Sequence, residues 1–137
     1  MLRRTLLALT IASSVTAAAA DGARQGEPHA YIISPADGET VSNPVTVRFG
    51  LRHMGVAPAG VDMAGTGHHH LLIDVDPPPP GQPIPADEHH RHFGGGQTET
   101  VLQLAPGKHT LRLLMGDHLH RPADPPVLSA PVTITVR

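Results

Sequence analysis

The sequence predicts an all-β fold, an immunoglobulin-like antiparallel β-sandwich of about 6–7 strands. Three observations predict it. Short apolar runs alternate with polar residues at a period of two, as a strand with one face in a core requires. No segment sustains helical spacing. The 15 prolines and 14 glycines punctuate the chain between these runs, and such residues mark turns because they fix or free the backbone angle φ.

Taken in order, residues 30–34 form a first strand, closed by Pro35-Ala36-Asp37-Gly38, a strong turn signal. In residues 44–52, Val45, Val47, Phe49 and Leu51 alternate with Thr46, Arg48, Gly50 and Arg52, the clearest half-buried strand. Gly55 to Gly67 is loop-like. Residues 68–75 form the third strand, entered through His68-His69-His70. On a strand, His69, Leu71, Ile73 and Val75 share the face suited to the core, and His68 and His70 share the other, about 7 Å apart. Pro77 to Pro80 and Pro83 to Pro85 make an extended connector that cannot pair as a central strand. Residues 98–104 give a fourth strand. Pro106-Gly107 suits the centre of a type II turn, and Leu111, Leu113 and Met115 mark the inward face of a fifth strand over 109–116. Prolines 122, 125 and 126 interrupt the chain before the last strand, 131–136, where Val132, Ile134 and Val136 alternate with Thr133 and Thr135.

The 137 residues suffice for one small domain. Met1-Leu2-Arg3-Arg4, the apolar stretch Leu6 to Ala12 and the tail Ala17 to Ala20 have the layout of a secretory signal peptide. The expected organisation is a signal peptide over 1–20, a flexible mature N-terminus over 21–29 and a single His-rich β-sandwich over 30–137. The apolar part of the leader is too short to span a bilayer, which predicts a periplasmic or secreted protein with no membrane span. There is no cysteine, so disulfides and thiolate ligands are excluded. Tyr31, Phe49 and Phe93 are the only aromatics besides histidine, leaving Val, Leu and Ile to fill the core. The formal charge is −2 with Lys108 the sole lysine, which provides no electrostatic footprint for nucleic acid.

Histidine is the compositional outlier, with nine of the eleven lying between His68 and His120. In an immunoglobulin-like topology, the start of the first strand, the loop after the second, the approach to the fourth and the loop after the fifth lie at one end. His29, His53, His68–His70, His89–His92 and His118–His120 fall at that end, and His109 at the other. Neutral imidazole is a ligand for zinc and copper. The His-x-His pairs His68/His70, His90/His92 and His118/His120 each put two rings on one side of an extended segment, and these six form the candidate ligand pool. Asp87, Glu88 and Asp117 stand near enough in sequence to orient imidazoles. Met54 and Met63 would supply thioethers favouring copper(I), whereas Met115 follows the core alternation. Gly94-Gly95-Gly96 leads into a strand, so it reads as a tight backbone path that lets His92 and Phe93 turn inward, not a phosphate loop. There is no G-x-S-x-G elbow, H-E-x-x-H helix or complete P-loop.

With these motifs in place, the chain resembles the bacterial family called domain of unknown function 4399. The similar segments are ISPADGETVSNPVTVRFGL, GVAPAGVD, TGHHHLLIDVD, PIPADEHHRHFGGGQTET, LAPGKHTLRLLMGDHLH and PPVLSAPVTITV, nearly everything after residue 30. The resemblance implies a single exported domain and assigns no activity. A looser similarity is to copper-zinc superoxide dismutase, another sandwich with His-x-His on its strands, although this chain lacks that enzyme's cysteine pair and glycine-rich loop pattern. The leading expectation is therefore a copper or zinc carrier, buffer or chaperone, more a binder than an enzyme, with a periplasmic metalloprotein as its partner. The alternatives are a copper-dependent redox enzyme of superoxide dismutase type, and a metal-free interaction module that responds near pH 6.

Overall fold

The structure is a computed structural model that describes residues 26–137. The proposed signal peptide lies outside the described residues. Nine strands form: β1 (His29–Ser34), β2 (Thr40–Val41), β3 (Val45–Arg52), β4 (Gly55–Val56), β5 (Thr66–Ile73), β6 (His90–His92), β7 (Glu99–Leu102), β8 (Gly107–Gly116) and β9 (Val132–Val136). No helix is present among the described residues.

Two sheets face each other. One has the order β1-β3-β7, antiparallel throughout. The other runs β2-β9-β8-β5-β4, with β6 also paired to β5. Its main pairs are antiparallel, while the two-residue strands β2 and β4 add to β9 and β5 in parallel. The chain is thus an all-β sandwich, as its alternating patterns predict. The core between the sheets is made by the alternating residues of each strand: Val45, Val47 and Phe49 from β3, Leu71 and Ile73 from β5, Leu111, Leu113 and Met115 from β8, and Val132, Ile134 and Val136 from β9. Phe93 joins them, its ring 4.9 Å from that of Phe49.

Strand β5 departs from the half-buried pattern, because Gly67 to Ile73 are buried on both faces. Chain segments that the sequence marks only as connectors cover the outer face. There Leu72 packs with Leu114 of β8 and with Ile84, which sits among the connector prolines, and Val75 and Leu128 border this second cluster. The connector is fastened by the Ile84 N–H donating to the His120 carbonyl (2.7 Å) and the Gly81 N–H donating to that of Pro122 (3.3 Å).

Four expectations are corrected. The third strand ends at Ile73, not Val75: Asp74 takes φ +57°, which breaks the alternation and sends Val75 to the outer cluster instead of the core. Residues His90–His92, outside every strand that the sequence predicts, form strand β6 on the edge of β5. The first strand begins at His29, one residue earlier than expected. Gly107, expected at the centre of a type II turn, instead opens β8, with φ +128°, a sign that side chains disfavour.

Leu71 and Val101 should separate core from surface. Leu71→Ala removes a fully buried side chain and is expected to destabilise by about 2–5 kcal/mol. Val101→Thr, at a position 60% exposed, should stay within about 0.5 kcal/mol. Urea denaturation of both variants measures this, and equal effects would contradict the assigned core.

Candidate metal centre

The outward face of β5 carries His68, His70 and Leu72, because neighbours two apart on a strand point the same way. His68 and His70 are fully buried, with ring centroids 4.7 Å apart. Strand β6 runs antiparallel on the β5 edge with His92 opposite His70, which puts the two rings 5.1 Å apart and the His92 ring 5.0 Å from that of His68. One nitrogen from each of these three rings lies within 4.8 Å of the others. Nitrogens on one tetrahedral zinc sit about 3.3 Å apart, so small ring rotations close the set.

His120 comes from the loop after β8. Its ring lies 4.7 Å from His92, 5.0 Å from His68 and 6.0 Å from His70. The Asp117 carboxylate shapes this loop by accepting the N–H groups of Leu119 and Arg121, both at 2.8 Å. The Asp117 carbonyl accepts the His120 N–H at 2.9 Å. This tight turn holds His120 at φ +65°, a backbone angle uncommon outside glycine that surrounding contacts must enforce. Burial pushes the Asp117 carboxyl up, but the N–H groups of Arg121 and Leu119 outweigh it and keep its pKa below the ordinary value.

Two glycines make room for the rings. Gly116 stands opposite His68 in the β5–β8 register. A Cβ there would lie 2.7 Å from Cε1 of His70 and 3.4 Å from Cα of His120. A Cβ on Gly94 would lie 2.6 Å from Nε2 of His92 and even nearer its Cε1. Gly94 thus serves the outward-facing His92 ring, while Phe93 alone turns inward. No side chain fits at either place without displacing an imidazole.

The electrostatics favour neutral rings. Burial, reinforced by the charges that His92 and His120 would carry, lowers the His68 pKa to about 4. Burial also lowers His70 to about 3, helped by His68, His92 and His120. His92 moves down for the same two reasons, desolvation first and His120 second. Neutral imidazole is the form that binds metal. Both ring nitrogens of His68 and Nδ1 of His70 are buried with no hydrogen-bond partner, and a bound cation would satisfy one nitrogen on each ring. These residues fit a metal ion with nitrogen ligands.

The other histidines have different places. His90 lies on the same face of β6 but opposite Leu72, two residues beyond His92, and its Nδ1 meets the Asp87 carboxylate at 2.8 Å. His118 is turned towards Asp62, 3.5 Å away. The three pairs of the candidate pool therefore divide: His68, His70, His92 and His120 gather, and His90 and His118 do not. The pairing logic needs extended backbone, which β5 supplies and the 117–121 turn does not. His69 points into the sandwich, its ring 5.2 Å from that of Phe49. Burial lowers its pKa to about 4, opposed in part by the Gln97 backbone. His29 stacks on Tyr31 at 5.9 Å.

Single-end convergence also needs correction. His89 and His90 lie beside Ile73 and Leu72, at the far end of β5 from His68. His89 shares a cleft there with Asp74 and His109. His109, expected at that opposite end, is held by the Asp74 carboxylate at 2.6 Å, which raises its pKa. The four clustered rings sit on the outer face of a sheet, with strand β6 and the post-β8 loop bringing two of them in. Asp87 and Glu88 partner His90 and His89, so neither orients a clustered ring. Met54 packs against the main core, its Cε against the inward side of Gly67, and Met63 is 62% exposed.

This geometry defines a β-sandwich with a histidine cluster able to hold a metal ion. The chain belongs to the family described as domain of unknown function 4399, whose model matches residues 47–137. Strand β1 and the turn after it precede the matched region. Comparison with curated proteins and with solved structures found no match.

Two outcomes follow from the cluster's packing and charge. Gly116→Ala should keep the fold by circular dichroism yet weaken metal binding by about 10–100-fold; unchanged binding would contradict the crowding assigned to His70. In the metal-free protein, folded-state pKa values of about 4 for His68 and His69 and about 3 for His70 lie below the ordinary 6.5. Stability is then complete above 6.5 and drains as pH falls towards those values, because the unfolded chain takes up protons that the folded one refuses. The raised His109 pKa acts the opposite way and is lost only as pH rises. Urea midpoints at pH 7 and pH 5 measure this, and equal midpoints would contradict it.

Proposed function

We propose that this chain is an exported metal-binding protein that holds copper or zinc as a carrier, buffer or chaperone. The observation that carries the reading is the meeting of four imidazoles from β5, β6 and the post-β8 loop, with buried unpartnered nitrogens on His68 and His70. An all-imidazole set suits divalent copper and zinc, and the affinity order of divalent ions favours copper(II). Among the described residues no thioether joins the cluster, so copper(I) has no special claim on it.

Holding fits the cluster better than catalysis. Three protein ligands with a free position mark a catalytic zinc site, and four mark a closed one. His68, His70 and His92 supply three such nitrogens, and His120, its ring 4.7 Å from that of His92, would supply the fourth of a holding set. A pH-responsive interaction surface fits less well, since His68 and His70 are buried. The basic, apolar and small-residue order of residues 1–20 supports export. The cargo would then pass to a periplasmic metalloprotein.

Calorimetric titration of tag-free protein tests the reading. One ion per chain is expected with a Kd below about 1 μM, tighter for copper(II) than for zinc. The double change His68→Ala with His70→Ala should weaken binding by more than about a hundredfold, while His90→Ala and His118→Ala each stay within about threefold. Micromolar or weaker binding that ignores the His68 and His70 changes would overturn it.

A further inference from the structure

The four rings are not equivalent towards solvent. His68 and His70 are fully buried on β5, a strand hydrogen-bonded along one edge to β8 and along the other to β4 and β6. Leu114 and Gly116 flank them on the same face of β8. His92 is exposed, on a three-residue strand at the sheet's edge. His120 is half-buried on a turn that the Asp117 carboxylate closes. The loop between β4 and β5 borders this side without sealing it: the Ala59 N–H donates to the Gly94 carbonyl at 2.8 Å and the Gly60 N–H to that of His118 at 3.1 Å. An ion held by all four would have the sheet behind it and solvent only past His92 and His120.

From this asymmetry we infer that the cargo ion is handed over by associative exchange through the His92–His120 side, to an acceptor that offers at least two nitrogen donors and bonds the ion before the strand-held pair releases it. The inference rests on the metal-binding reading. Unaided loss would break the last bonds to His68 and His70 with no new nitrogen bond formed to offset them. Stepwise exchange ends in the same metal-free protein, but the ion keeps ligands throughout, which lowers the barrier to release. A bond forms from an acceptor nitrogen to the ion as the bond from His92 or His120 breaks, and the second exposed ring follows. The imidazoles leave neutral, no electron moves, and His68 and His70 let go last. Exposed edge positions tolerate such ring movement, whereas a paired central strand does not.

The test uses the full metal-loaded chain and excess of a chromogenic pyridylazo chelator, with transfer followed by absorbance. The observed rate should rise in proportion to chelator concentration. His120→Asn, chosen because asparagine tolerates positive φ, should still load one ion on the remaining rings and steepen that dependence by about tenfold. His92→Ala on the exposed edge provides a second variant with the same expectation. A rate independent of chelator concentration, or slopes unchanged in both variants, would overturn the inference. A chain that takes up no ion at loading would overturn the metal-binding reading and this one with it, and it shows before any chelator is added.

Discussion

Desolvation of three consecutive imidazoles is the constraint on which the rest of the structure depends. Polar side chains in a central strand cost free energy unless their hydrogen-bonding atoms find partners. Strand β5 buries His68, His69 and His70 together and leaves five of their ring nitrogens with no protein partner. His69 resolves its position as a neutral aromatic body beside Phe49. His68 and His70 face the other way, towards two further imidazoles, and burial holds them in the form that donates a lone pair. The same physics that makes the cluster costly for a proton makes it receptive to a metal ion.

The surroundings are consistent with that demand. Gly94 and Gly116 supply space where a methyl group would strike His92 or His70. The Asp117 turn holds the backbone of His120 in a left-handed conformation that few side chains adopt. The proline-rich connector contributes Ile84, whose side chain covers Leu72 and Leu114 and whose N–H anchors the His120 carbonyl. A single stretch of connector therefore both closes the outer hydrophobic cluster and positions a candidate ligand.

Much of this was legible in the residues. Period-two alternation in β3, β8 and β9 announces the core, because a strand with one apolar face has one stable way to lie. The His68/His70 pair was equally legible, since the rule of alternating faces holds along a paired strand. It misleads at His118/His120, where the chain turns within three residues, and it is incomplete at His90/His92, where both rings share a face but only His92 is in register with His70. Pairing register and turn conformation arise from contacts between distant segments, so the spacing of histidines alone does not encode them. The room made by Gly116 is of the same kind: its meaning lies in what stands across the sheet. Chain direction also misplaced His89 and His90, because the chain joins β5 at its far end, beside Ile73 and Leu72, and β6 only then runs towards His68.

The central claim is that one ion takes nitrogen from His68, His70, His92 and His120. X-ray absorption spectroscopy of the copper(II)- or zinc-loaded protein tests it most directly. The account predicts a first shell of imidazole nitrogens alone, with zinc–nitrogen distances of about 2.0–2.1 Å and the multiple scattering of intact imidazole rings. A first shell dominated by carboxylate or water oxygen, or a spectrum that does not change when His68 and His70 are replaced by alanine, would contradict it.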